Sequence, residues 1–167
     1  MTIEKSEIRF KIEQLSQVLT SLGWRIACAE SCTGGWVAKL FTDLAGSSSW
    51  FERGYVTYSN RAKQEMLGVS EQSLSEFGAV SEAVVREMVI GACKQANTEV
   101  SLAISGIAGP AGGSEDKPVG LVWFAWCIDG QIETYQEVFA GDREAVRQQA
   151  TVTAIEKLLD YLNAVNA

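Results

Sequence analysis

The chain has 167 residues, a formal net charge of −7 from 14 Lys and Arg against 21 Asp and Glu, four cysteines and no histidine. That length suits one domain spanning residues 1–167, with a core able to form without disulfides or structural metals. The acidic balance excludes a general nucleic-acid or acidic-membrane binder, and the absence of histidine excludes His-based catalysis and the usual zinc sites.

Ile8, Ile12, Leu15, Leu19 and Leu22 recur at helical spacing, and Gly23 offers a stop, so the chain should open with an amphipathic helix. The start, MTIEKSEIRFK, is too charged for a secretory signal, and no apolar run is long enough to span a bilayer; a cytoplasmic protein is expected. WRIACA reads as a buried strand, CTGGWVAKLFTDL as helix and AGSSSW as loop. FERGYVTYS follows as a strand, then a short helix NRAKQEML with Asn60 as its expected N-cap. GVSEQSLSEFGAV reads as a polar connection into a helix capped by Ser81, with Val84, Val85, Met88, Val89 and Ala92 on its apolar face.

VSLAISG is a second buried strand, running into the glycine-rich GIAGPAGGSEDKPVG. LVWFAWCI and QIETYQEVFA flank Asp129-Gly130, a strong two-residue hairpin signal. A last helix is expected from Arg143 to Leu162. Helices alternating with strands, plus one hairpin, imply an α/β fold: a mixed, partly parallel sheet with helices on both faces.

The chemistry concentrates in AESCTGGWVAKL, where Ser31 and Cys32 lie between a strand and a helix. Amides at a helix start lack intrahelical partners, so they can steady a serine alkoxide or an oxyanion. Ser31 or Thr33 can equally serve as a cap, and Cys32 as a nucleophile or as packing. Cys93 and Cys127 read as small buried hydrophobes, and reduced thiols are expected throughout. Without histidine, a serine nucleophile needs a lysine or carboxylate base. A neutral lysine at pH 7 costs about 4.6 kcal/mol relative to its free pKa of ~10.4. Lys63, in the first turn of its helix, is such a base or a solvated surface lysine; the helix dipole supplies only ~0.3–1 kcal/mol, so desolvation must do most of the work. Tyr58 can relay a proton, orient Lys63 or simply pack. SGIAGPAGG can cradle a phosphate without being a P-loop, and Arg143 and Arg147 are anion ligands or a solvated helix face.

Together AESCTGGWVAKL, AGSSSWFERGYVTYSNRAKQEMLGV, GAVSEAVV, SGIAGPAGGSEDKPVGLVWFA and GDREAVRQQAT resemble the CinA C-terminal domain family, and within it the stand-alone nicotinamide-nucleotide amidohydrolases. The resemblance implies a three-layer α/β/α domain that commonly self-associates, a dimer being favoured. It implies hydrolysis of the carboxamide of nicotinamide mononucleotide to nicotinic acid mononucleotide and ammonia, in pyridine-nucleotide salvage. It carries a Ser–Lys pair onto Ser31 and Lys63, with Tyr58 and Ser48 as assistants. Thr33, Gly34, Gly35, Gly106, Ala108, Gly109 and Arg143 are the expected substrate contacts. No metal or cofactor is called for. Longer relatives add an N-terminal domain for which 167 residues leave no space, so its pyrophosphatase activity is not expected. Two rivals stand beside this: a Ser–Lys amidase or esterase for another small amide, and a nucleotide-binding regulatory module without turnover.

Overall fold

The computed structural model describes residues 4–167; the first three residues of the charged N-terminal stretch lie outside them. Its elements in chain order are α1 (Lys5–Leu22), β1 (Ile26–Glu30), α2 (Trp36–Thr42), a 3-10 turn (Ser47–Ser49), β2 (Phe51–Val56) and α3 (Asn60–Leu67). They continue with α4 (Glu71–Phe77), α5 (Glu82–Ala96), β3 (Val100–Gly106), β4 (Leu121–Ile128), β5 (Gln131–Val138) and α6 (Arg143–Asn166). The five strands form one sheet in the order β2-β1-β3-β4-β5. β1 runs parallel to both β2 and β3, while β4 and β5 are added antiparallel. The expected mixed sheet is therefore present.

Alternation along the strands divides the core into two layers, because successive strand residues face opposite sides. Ile26 and Cys28 of β1, Leu102 and Ile104 of β3, and Val122, Phe124 and Trp126 of β4 meet α1, α2 and α6. Ala27, Ala29, Ala103, Ala125 and Cys127 face the layer of α3, α4 and α5. The first face is filled by large side chains, and the Trp126 indole N–H also donates to the Ala154 carbonyl of α6 at 2.9 Å. The second face is mostly alanine, so α5 lies close over the sheet. The result is the three-layer α/β/α arrangement.

Local signals explain most boundaries. Gly23 ends α1 in the left-handed region at φ 68°, where its amide reaches the Leu19 and Thr20 carbonyls. The Ser81 hydroxyl accepts from the Val84 amide, as its position before α5 implies. Asp129 and Gly130, with φ 48° and 84°, close the β4–β5 hairpin.

Four expectations need correction. The cap of α3 is Ser59, which accepts from the Ala62 amide, and Asn60 is the first helical residue. The polar connection after α3 contains a helix, α4, capped by the Ser70 hydroxyl on the Ser73 amide; Leu74 alone is buried from it, too little periodicity to announce a helix. The segment after β1 becomes helical only at Trp36, because Gly34 and Gly35 take φ 61° and 102°. α6 continues to Asn166, one turn past Leu162. Among the described residues no helix is long and apolar enough to cross a membrane, and all four cysteines are free thiols.

Candidate active site

The parallel strands β1, β2 and β3 end at the same edge of the sheet, the usual place for a site in an open α/β fold. Ser31 follows β1, and its amide donates to the Ile104 carbonyl of β3 at 3.0 Å. Thr57 follows β2, and its amide donates to the Glu30 carbonyl at 2.8 Å. These two bonds bring the turn after β1 against the segment leading into α3.

Lys63, one turn into α3, points back into this junction and is 1% exposed. Its Nζ lies 3.1 Å from Ser31 Oγ, 2.8 Å from the Thr57 carbonyl and 3.3 Å from the Tyr58 carbonyl. None of these partners carries a negative charge, so nothing offsets the loss of hydration on protonation. Burial lowers the Lys63 pKa from 10.5 to about 8. The solvated-lysine alternative is thereby excluded. A neutral amine has two N–H groups and one lone pair. Two carbonyl acceptors and one hydroxyl donor fit that inventory.

Burial pushes the Cys32 thiol the other way, up to about 11, so the thiolate is disfavoured and Cys32 reads as packing. Tyr58 meets Lys63 through its backbone carbonyl, whereas its hydroxyl accepts from Arg143 Nη2 at 3.0 Å. Arg143 Nη1 donates to the Gly109 carbonyl at 2.8 Å. The arginine therefore links the Tyr58 ring to the glycine-rich loop across the mouth of a pocket of ≈ 250 Å³. Ser31, Lys63, Tyr58, Gly106, Ala108 and Arg143 all line that pocket.

The remaining sequence candidates do not line that pocket. Thr33 is fully buried, with its hydroxyl donating to Glu30 Oε1 at 2.7 Å. Thr33, Gly34 and Gly35 instead border a larger groove of ≈ 900 Å³ between α1, α2 and α6, which contains neither Ser31 nor Lys63. Gly109 contributes its carbonyl to Arg143 rather than a pocket wall. Ser48 precedes β2, whose six residues separate it from the site by about 20 Å. It sits beside Arg25 at the opposite edge, where its carbonyl accepts from that guanidinium at 3.0 Å.

Sequence reading missed Glu30, which is 1% exposed at the end of β1. Its carboxylate accepts from the Val37 and Ala38 amides at 2.9 and 3.2 Å. The free amides at the start of α2, expected to hold an oxyanion, are therefore occupied by a side chain of the protein. The available signal was a carboxylate inside an otherwise buried strand, since a buried acid must find donors. Arg147, expected as an anion ligand or part of a solvated helix face, is turned onto the backbone instead. Its Nε donates to the Cys32 carbonyl at 2.9 Å and its Nη2 to the Thr33 carbonyl at 3.3 Å.

Residues 9–162 match the model of the CinA C-terminal domain. The nicotinamide-nucleotide amidohydrolase PncC of Escherichia coli K12 is 58% identical over 154 residues, covering 92% of this chain and 93% of the relative. A CinA-like protein of Syntrophobacter fumaroxidans is 51% identical over 137 residues, but those cover 82% of this chain and only 32% of that longer protein. The crystal structure of the competence/damage inducible protein CihA of Agrobacterium tumefaciens superposes with a TM-score of 0.91 at 39% identity, covering 98% of this chain and 99% of the other.

Proposed function

The chain belongs to the CinA C-terminal domain family, and on that premise we propose that it is a nicotinamide-nucleotide amidohydrolase using Ser31 as nucleophile and Lys63 as base. Near-full-length identity to enzymes of that name supports the activity and the amide substrate. The observation that carries the chemistry is the 3.1 Å approach of a buried, pKa-depressed Lys63 Nζ to Ser31 Oγ.

In the proposed reaction the two N–H groups of neutral Lys63 donate to the Thr57 and Tyr58 carbonyls, leaving the lone pair on the Ser31 hydroxyl. The hydroxyl attacks the carboxamide carbon as its proton passes to Nζ, and the pyridinium ring makes that carbon more electrophilic. The oxyanion is held by amides of the nucleophile turn. Collapse breaks the C–N bond, and Lys63 returns the proton so that ammonia departs. Water activated by the same amine then hydrolyses the ester, giving nicotinic acid mononucleotide and free Ser31. Proton transfer is direct, so the Tyr58 hydroxyl needs no relay role. Arg143 has five N–H groups and uses two within the protein; the others are available to a substrate phosphate.

The test is ammonia release from nicotinamide mononucleotide, free nicotinamide and simple amides by wild type and Ser31→Ala. Turnover confined to the mononucleotide and abolished by Ser31→Ala is expected. Equal turnover of simple amides points to a general amidase, and nucleotide binding without ammonia points to a regulatory module. The same reading makes the protein a self-associating cytoplasmic enzyme of pyridine-nucleotide salvage; sedimentation velocity reads the expected dimer.

A further inference from the structure

Glu30 occupies the Val37 and Ala38 amides, so an oxyanion formed at Ser31 needs other donors. Ser31 and Gly34 use their amides within the protein, on the Ile104 and Ser31 carbonyls, and Trp36 uses its own on Thr33. Cys32 and Thr33 are buried, yet their amides have no acceptor among the described residues. Unpartnered amides in buried residues are uncommon. Two in succession, directly after a nucleophile, are what a developing oxyanion requires.

Arg147 fixes the direction of the Thr33 amide and, through Gly34, supports that of the Cys32 amide. A trans peptide unit directs its C=O and N–H oppositely, and the only cis bond among the described residues is Gly109-Pro110. Arg147 Nε holds the Cys32 carbonyl toward the groove between α1, α2 and α6, so the Thr33 N–H points away from that groove. The Ser31 carbonyl is held by the Gly34 amide at 3.1 Å, which fixes the Cys32 N–H in the same manner. Arg147 Nη2 on the Thr33 carbonyl secures the next unit. The guanidinium is itself held from the side by Trp36, 5.6 Å from the ring centroid. Gly34 leaves space for it, since a Cβ there would lie 3.3 Å from Nη2.

We infer that Arg147 is a positioning residue for the reaction: its clamp on the Cys32 carbonyl aims the Thr33 amide, and its clamp on the Thr33 carbonyl steadies the Gly34 amide that holds the Ser31 carbonyl and so the Cys32 amide, the two amides being the oxyanion donors for Ser31. This rests on the acyl-transfer reading above. A lysine keeps the charge but lacks the planar fork that spans two carbonyls.

The test compares wild type with Arg147→Met and Arg147→Lys, each checked for folding by circular dichroism. Steady-state turnover of nicotinamide mononucleotide is paired with the inactivation rate by a fluorophosphonate. That probe forms a Ser31 Oγ–P bond, expels fluoride through a charged transition state and needs no nucleotide site. Both variants should lose about 10²-fold in kcat and a similar factor in inactivation rate. KM should stay within about twofold, and the pH midpoint set by Lys63 should not move. A merely structural role would lower the melting temperature yet leave kcat per folded enzyme intact. A folded variant with wild-type kcat and inactivation rate overturns the assignment, as does a rise in KM alone or a moved pH midpoint. If Arg147→Met does not fold, Arg147→Lys is read by itself. Wild type that is inert to the mononucleotide but labelled faster than the variants would sink the substrate reading and leave the clamp standing.

Discussion

At the scale of single residues, Lys63 carries the most consequences. With a pKa of about 8, roughly one molecule in ten has the neutral amine at pH 7, against about one in three thousand at the ordinary value. The rate should therefore climb close to tenfold per pH unit below pH 8 and level above it, as read from kcat against pH. Lys63→Arg keeps a positive charge but cannot deprotonate, so it should be as inactive as Lys63→Ala. Near-normal kcat in a folded arginine variant would eliminate the base role. The same group makes stability depend on pH. Between about pH 8 and 10.5 the unfolded lysine binds a proton that the folded one has released, so stability due to this residue rises with pH across that window. Relative to Lys63→Met, wild type should gain about 3 kcal/mol from pH 8 to 10.5 in denaturant titrations. A flat difference would mean that the folded-state pKa is not depressed.

At the scale of elements, α3 is what delivers the lysine, and its seat is a glycine on another helix. A Cβ at Gly91 of α5 would lie 1.9 Å from the carbonyl oxygen of Leu67, the last residue of α3. Gly91→Ala improves helix propensity by up to ~1 kcal/mol, but it must push α3 outward. A net loss of about 1–3 kcal/mol is expected in thermal unfolding, with a fall in kcat because Lys63 moves with its helix. Unchanged stability and kcat would show that α3 does not depend on this close approach.

The elements also show what the sequence could and could not convey. Strands and long helices were legible because burial repeats every two or about four residues over their length. The hairpin was legible in two residues whose conformational preferences are strong. Helix α4 was not, since one buried leucine makes no period. Ser31 and Lys63 were legible as chemistry because few alternatives remain in a chain without histidine, and the family pattern selected them. Ser48 entered through the family pattern and not through its surroundings, and within this chain it stands at the far end of β2 from Ser31 and Lys63. Glu30 and Arg147 were hard to assign because both bond to backbone groups around the nucleophile turn and α2: the buried carboxylate signals that Glu30 needs donors, but a backbone partner leaves no side-chain pattern to say which.

At the scale of the whole molecule, the sheet separates the two helical layers, and Ser31 and Lys63 leave that sheet in different directions. From Ser31 the chain continues into α2 on one face, while Lys63 belongs to α3 on the other. They are joined by the pairing of β1 with β2 and by the bond from the Thr57 amide to Glu30. On the proposed Ser–Lys mechanism, catalysis works as a proximity gauge between two helical blankets. Loosening either one by an ångström opens the 3.1 Å contact long before helices melt. In graded urea, ammonia release should vanish at concentrations where far-ultraviolet circular dichroism is still native. Coincident loss of both signals would mean the two layers never part before global collapse.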